Sequence, residues 1–534
     1  MLAESNGWRR AHRVLAMLSL AVTACGGGDE TGPEPIGPPA TLAVSAGNAQ
    51  TATAGQTLLA PIAAKVSDAA GHGVPNIPVN FVVVAGDGEI LTNSGRTNGA
   101  GVITATWRVG VVAGSQQRVI ATLLDTLTGA LLDTAHFTAT VTAGPPATVG
   151  IVSGSFQIGG VGQSLPEPLR VLILDQFGNG VAGATVTWAV VSGDATLANA
   201  TTTANAQGFA TNTVTLGQAE GDVQIRATVT GLPPVTFGAV SRRLTTRVAT
   251  LSGSGFGIAR TPSNQVLVSL IDRGQVERVS TTPPASNRLA TVFGTPVVIA
   301  ADAAGTFAYV ANMHSTGFLS VIDIASMTKV VDVPIPGEAH SLALSPRGDR
   351  VYVTNTNDAV FAVDVATRAV VDTTRVASGS GPWGISFWTT ATDSLMYVTA
   401  RNGGSISEVD MRTGSVLRTL SVGGRPHGLA IAPSGSTLYV ADDQMGQVLF
   451  VNRVTGAVGE RIPAEGAFGM GIAPDGNTLY VTTNTGYILV IDVASATVTR
   501  RFWSNGTPRQ ILVSPDGNSA MAANMGGWVD QVTR

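Results

Sequence analysis

A ten-residue line, Ile472-Ala-Pro-Asp-Gly-Asn-Thr-Leu-Tyr-Val481, returns as Leu344-Ser-Pro-Arg-Gly-Asp-Arg-Val-Tyr-Val353 and as Ile431-Ala-Pro-Ser-Gly-Ser-Thr-Leu-Tyr-Val440. The aromatic or long apolar residue near the end of each line is a convenient marker. It gives Leu267, Tyr309, Tyr352, Tyr397, Tyr439, Tyr480 and Met521, spaced 42, 43, 45, 42, 41 and 41 residues apart. A unit of this length with a strand–turn–strand inside it cannot bury its apolar face alone and must stack on its neighbours. Periods in the low forties therefore predict the blades of a β-propeller, seven of them over residues 245–534.

Each unit reads as four strands. One unit gives Ser341–Ser345, Arg350–Thr354, Ala359–Asp364 and Ala369–Thr373, with Pro346-Arg-Gly348 as a hairpin turn. Proline presets φ and glycine supplies the positive φ such turns require. The chain stops at Gly527-Trp-Val-Asp-Gln-Val-Thr-Arg534, a third strand with no fourth, while Thr246-Arg-Val-Ala-Thr-Leu-Ser252 is a fourth strand with no blade before it. Pairing these two segments would close the ring and leave no open edge. The line Tyr352-Val-Thr-Asn355, with third strands such as Val321-Ile-Asp-Ile-Ala325, resembles the YVTN-repeat propellers of bacterial and archaeal surface proteins.

Aligned units place Phe256, Val297, His340, Trp383, His427, Phe468 and Arg509 at one position, where the innermost strand enters the central channel. Such a rim offers aromatic faces to a flat ligand, a sugar or a peptide, so Phe256, His340, Trp383, His427, Phe468 and Arg509 are the candidate ligand-binding residues. The bland alternative is a repeat habit in which these side chains only pack the rim. Propellers of similar type include lactonases and a streptogramin lyase with a channel-mouth histidine. Under that reading His427, in Pro426-His-Gly428, is the best general base. No full set of that family's site residues maps onto this chain. A metal held by His340 and His427 would need further ligands, and no carboxylate stands at an equivalent position, so neither metal nor cofactor is expected. Asp323, Asp364, Asp410 and Asp492 recur at the equivalent third-strand position of four separate blades, which separates them around the ring and points to turn capping. The tripeptide Arg347-Gly-Asp349 falls on the shared hairpin turn and is a chance match.

A second repeat precedes the first. Pro39-Ala-Thr-Leu42 returns as Pro146-Ala-Thr-Val149, and Asp68, Val79, Phe81 and Gly101 match Asp175, Val186, Trp188 and Gly208, all at an offset of 107. Short alternating strands broken by glycine turns over about 100 residues suggest a β-sandwich in each copy, residues 41–143 and 146–241. The motif Val181-x-Gly-Ala-Thr-Val-Thr-Trp188, followed by Ala206-x-Gly-Phe-Ala-Thr211, resembles bacterial immunoglobulin-like domains of the invasin and intimin type. That resemblance implies a stalk carrying a head. Phe81 and Trp188 are expected in the cores, and Asp68 and Asp175 as turn caps, since calcium would need more oxygen ligands than these segments offer.

Arg9, Arg10 and Arg13 precede the apolar run Val14–Val22, the layout of a secretory signal over residues 1–24, too short to span a bilayer. The chain's one cysteine follows in Val22-Thr-Ala-Cys25, which resembles a bacterial lipobox, with Val22 and Thr23 in place of the family's preferred Leu and Ala or Ser. The resemblance implies lipidation at Cys25 and attachment to a membrane. Gly26 after it implies the outer membrane under the enteric sorting rule. Residues 25–40, rich in Gly and Pro, make a flexible tether. With 12% charged residues and a net charge of −4, the chain has no basic patch for nucleic acid.

The expectation is an all-β protein of the cell envelope, outer membrane or cell surface: a lipid anchor, two immunoglobulin-like sandwiches and a seven-bladed head that binds a surface protein or glycan. The alternatives are a lyase or lactonase-like hydrolase at the channel mouth, and a structural surface-layer component.

Overall fold

The computed structural model describes residues 35–93, 95–279, 288–391 and 394–534. The expected signal segment, Cys25 and the tether up to residue 34 lie outside the described residues. Every regular element among the described residues is a β-strand.

In the first sandwich, one sheet orders Thr41–Ala46, Ile62–Ser67, Val102–Arg108 and Glu89–Asn93. The other orders Gln50–Thr53, Leu131–Thr142, Gln116–Leu124 and Val79–Ala85. Alternation along Gln116–Leu124 turns Val119, Ala121 and Leu123 inward, where they are fully buried. Trp107 and Phe137 join them, and Phe137 meets Phe81 at 6.1 Å between ring centroids. In the second sandwich Thr185–Ser192 pairs with Gly221–Val229, and Trp188 packs on Phe237 at 5.8 Å while its indole N–H donates to Thr202 Oγ1. Both aromatic positions are core residues.

The duplication extends to polar detail. Asp68 accepts backbone N–H bonds from Gly37, Ala70 and His72, and Asp175 accepts them from Gly144, Phe177 and Asn179, each donor 107 residues further on. The carboxylates satisfy turn amides that strand pairing leaves free, the capping role expected of them.

Seven four-stranded antiparallel sheets form the propeller. Six run from inner to outer strand in chain order; blade 3, for example, is Ala339–Leu344, Arg350–Asn355, Ala359–Asp364 and Ala369–Arg375. Blade 7 takes Pro508–Val513, Ser519–Asn524 and Trp528–Thr533 from the chain end and Thr246–Thr250 as its outer strand, with Thr246 opposite Gln531 and Thr250 opposite Trp528. Thr245 Oγ1 also donates to Asp530 Oδ1 at 2.6 Å, so a side-chain bond reinforces the closing strand. The five marker tyrosines are buried in the apolar clusters of the propeller. Asp323, Asp364 and Asp492 each accept the N–H and hydroxyl of the residue three further on, and Asp410 accepts the N–H of Arg412. Asp349 accepts from Ser345 Oγ within its own turn.

Candidate functional site at the channel mouth

The innermost strand of every blade breaks register at the same place: between Gly255 and Ile258, Pro296 and Ile299, Ala339 and Ser341, Pro382 and Ile385, Pro426 and Leu429, Ala467 and Met470, Pro508 and Ile511. The first residue inside each break is the one the sequence alignment placed at the channel mouth. A bulge leaves that residue out of the ladder and re-aims its side chain. Seven bulges therefore build the mouth.

Hydroxyls hold the bulges in place. Thr399 Oγ1 accepts the Gly384 N–H at 2.7 Å and donates to the His427 carbonyl of the next blade at 3.1 Å. Thr482 joins Gly469 to the Arg509 carbonyl at 2.9 and 2.5 Å, and Ser269 joins Gly257 to Val297 at 2.7 and 2.5 Å. Thr354 reaches the Trp383 carbonyl at 3.2 Å. This is the physical role of the third residue in the Tyr-Val-Thr-Asn line: it replaces the ladder bond lost at the bulge and ties one blade to the next. The glycine after the mouth residue has its own cause. A Cβ on Gly384, Gly428 or Gly469 would lie 2.4–2.5 Å from the carbonyl oxygen of the adjacent blade. The last residue of the line fixes the loop that leads into the mouth: Asp442 Oδ1 accepts the Arg425 N–H, and Asn524 Oδ1 accepts that of Thr507.

The candidate residues come together, and they fill the mouth with one another. His340 stacks on Trp383 at 4.7 Å, Trp383 packs at a tilt on His427 at 4.4 Å and His427 at a tilt on Phe468 at 3.9 Å, while Phe468 meets Phe256 edge-on at 5.8 Å. Arg509 lies over Phe468 and Phe256 at 4.7 and 5.6 Å. Val297 is fully buried and packs into the same cluster. Ring faces are thus paired internally: His427 is only 2% exposed, and Trp383 is partly buried between two histidines. A cavity of about 190 Å³ adjoins this ladder, lined by Trp383, His427 and Phe468 with Ser341 and Gln510 of the channel wall.

Electrostatics follow from that packing. Burial, then the positive charges of Arg401, Arg509 and Arg425, holds the His427 pKa well below the usual imidazole value. His340 is lowered mainly by burial. Among the described residues no carboxylate is hydrogen-bonded to the His427 ring, and no cluster of three or more His, Cys, Asp or Glu side chains suits a metal ion. Sequence comparison of the units had missed Arg401, Arg425 and Asp443. For Arg401 and Asp443 the signal was present, because Arg401, Asp443, Asn484 and Met525 occupy one repeat position immediately after the second strand; Arg425 stands at a different position, before the innermost strand.

Known proteins match parts of the chain. Residues 166–237 match the model of the bacterial Ig-like domain (group 1). The uncharacterized protein YncE of Salmonella typhi is 30% identical over 128 residues, 23% of this chain, and its counterpart in Salmonella typhimurium matches to the same extent. The chain spans 33% of the length of these relatives. Among solved structures, Kuenenia stuttgartiensis hydrazine synthase is similar over 53% of this chain and 96% of its own, at 18% identity and a TM-score of 0.45. The WD40 β-propeller domain of Doa1 is similar over 54% and 96%, at 10% identity and a TM-score of 0.47.

Proposed function

We propose that this is a lipid-anchored protein of the cell envelope, outer membrane or cell surface, in which the immunoglobulin-like sandwiches form a stalk and the propeller head binds a surface protein or glycan at its channel mouth. The observation that carries the reading is the mouth itself. Seven bulges gather seven side chains at the mouth, and five of them are aromatic or imidazole rings packed in one continuous row beside a cavity. Rigid rings backed by a hydrogen-bonded second strand are the preorganised surface that recognition favours.

The same geometry favours binding over catalysis by His427. A general base must reach the proton it removes, and this ring lies buried between Trp383 and Phe468. The test uses the full chain in detergent, wild type and His427→Ala, incubated with fractionated envelope extract and followed by mass spectrometry. Retention of a compound at unchanged mass supports the binding head. A mass change produced only by the wild type would replace it with the enzyme reading. Retention of nothing would favour the structural one. The anchor has its own test: the mature N-terminal peptide should carry acyl chains on Cys25, and Cys25→Ser should leave the membrane fraction. An unacylated peptide would remove the anchor from the proposal.

A further inference from the structure

The mouth carries more positive charge than its packing needs. Arg401, Arg425 and Arg509 all act on His427 from around the ladder. Among the described residues Arg401 and Arg425 pair with Asp443, Asp442 is spent on backbone and side-chain amides including the Arg425 N–H, and Glu338 acts on His340 from the neighbouring blade. Asp443 engages Arg401 at 3.6 Å and Arg425 at 3.7 Å, longer than hydrogen bonds. Its Oδ1 and the Arg401 Nε are buried without a hydrogen-bond partner, as is His340 Nδ1. Arg509 has neutral partners only, Asn484 Oδ1 and Met525 Sδ, and its guanidinium is partly buried over Phe256 and Phe468.

The Arg509 arrangement is costly without an anion, whereas Arg401 and Arg425 share Asp443 at long range and keep part of their side chains in water. A guanidinium stays charged at any pH the protein meets, and holding it out of water without a counter-charge costs free energy. A guanidinium also presents planar paired donors that match the two oxygens of a carboxylate or a phosphate. Trp383 and His427 lie between neighbouring rings, so the row serves as a floor for a bound group. An oxyanion above the ladder would meet unfilled donors.

We propose that the channel mouth is an oxyanion site, in which a carboxylate or phosphate group of the partner sits among Arg401, Arg425 and Arg509 on the floor formed by His340, Trp383, His427 and Phe468. This rests on the binding reading above and names the chemistry it recognises. The two sources of such a group are an acidic sugar and a phosphate ester, and the experiment separates them.

The full chain in detergent is titrated calorimetrically at about 20 mM ionic strength, where screening of exposed charges is weak. The probes are trigalacturonate, inorganic phosphate and, as the neutral control, galactotriose. Trigalacturonate or phosphate should bind and galactotriose should not; the better anion identifies the source. Arg509→Gln and Arg425→Gln should each weaken binding by about tenfold or more, and Arg461→Gln, on an outer strand, should leave it unchanged. If a variant fails to fold, the wild type alone decides, since raising NaCl to about 0.5 M should weaken the anion and not any neutral ligand. Absence of saturable binding by both anions overturns the proposal, as does equal binding by wild type and a folded Arg509→Gln. Failure here is distinct from failure of the binding reading. An envelope compound retained equally by wild type and Arg509→Gln keeps the head as a binder and removes the oxyanion site. Anion binding with no retained compound does the reverse.

Discussion

At Gly469 and Thr482 two small side chains decide whether adjacent blades fit. A methyl on Gly469 would lie 2.5 Å from the Arg509 carbonyl oxygen, so Gly469→Ala has to push blades 6 and 7 apart. Overpacking of this kind costs about 1–3 kcal/mol, which a fall in the propeller's denaturant midpoint would record. Thr482→Val keeps the shape and strands the Gly469 N–H and the Arg509 carbonyl, with an expected loss of about 1–3 kcal/mol. An unchanged midpoint in both variants would remove the hydroxyl bridge as a stabilising element. His427 adds a pH dependence. Its folded pKa is depressed, by burial first and then by Arg401, Arg509 and Arg425, so the unfolded chain takes up the proton before the folded one. Its contribution is complete above the unfolded value near 6.5 and is lost as pH falls below it, at about 1.4 kcal/mol per pH unit. Between pH about 6.5 and 5, His427→Phe should therefore lose stability less steeply than wild type; parallel slopes would mean the ring is protonated in the fold.

Closure of the ring belongs to the strand Thr246–Thr250. It supplies the outer edge of blade 7, and behind it the partly desolvated Asp530 receives hydrogen bonds from Thr245, Asn524 and Trp528. Burial raises the Asp530 pKa against the pull of these donors, so each donor matters to the charged form. Thr245→Ala removes one charge-assisted bond and should cost about 1.5–3 kcal/mol. The loss should appear in hydrogen exchange as faster opening of Trp528–Thr533, with Thr478–Thr483 of blade 6 less affected. Uniform acceleration across both strands would mean that the closing strand does not open as a local unit.

For the whole chain, two different repeats argue for separately cooperative parts. Each sandwich has its own aromatic core, and the propeller closes on itself through blade 7. Asp68→Ala removes the acceptor of three backbone donors in the first sandwich, whose bonds, led by the Gly37 N–H, hold its carboxyl below the ordinary value. In a calorimetric scan it should lower one transition and leave the propeller's in place. Gly469→Ala should do the opposite. A common shift of all transitions in both variants would show that the parts melt together.

Period and offset are properties of the chain itself, and they determined most of the architecture. A spacing of 41 to 45 residues counted the blades, and the incomplete units at Thr246 and Trp528 implied their pairing. The constant offset of 107 paired Phe81 with Trp188 and Asp68 with Asp175 in like roles. Alignment of the units also brought His340, Trp383, His427, Phe468, Phe256 and Arg509 to one end of the channel, because equivalent positions in a ring converge. Where those side chains turned was decided only in three dimensions. A bulge cannot be seen in a list of residue types, since it is a register difference between two strands, and it is the bulge that folds the rings onto one another rather than outward. Arg425 and Asp443 meet because they flank the paired ends of one hairpin, Pro426 opposite Asp442, and Arg401 reaches Asp443 from the adjacent blade.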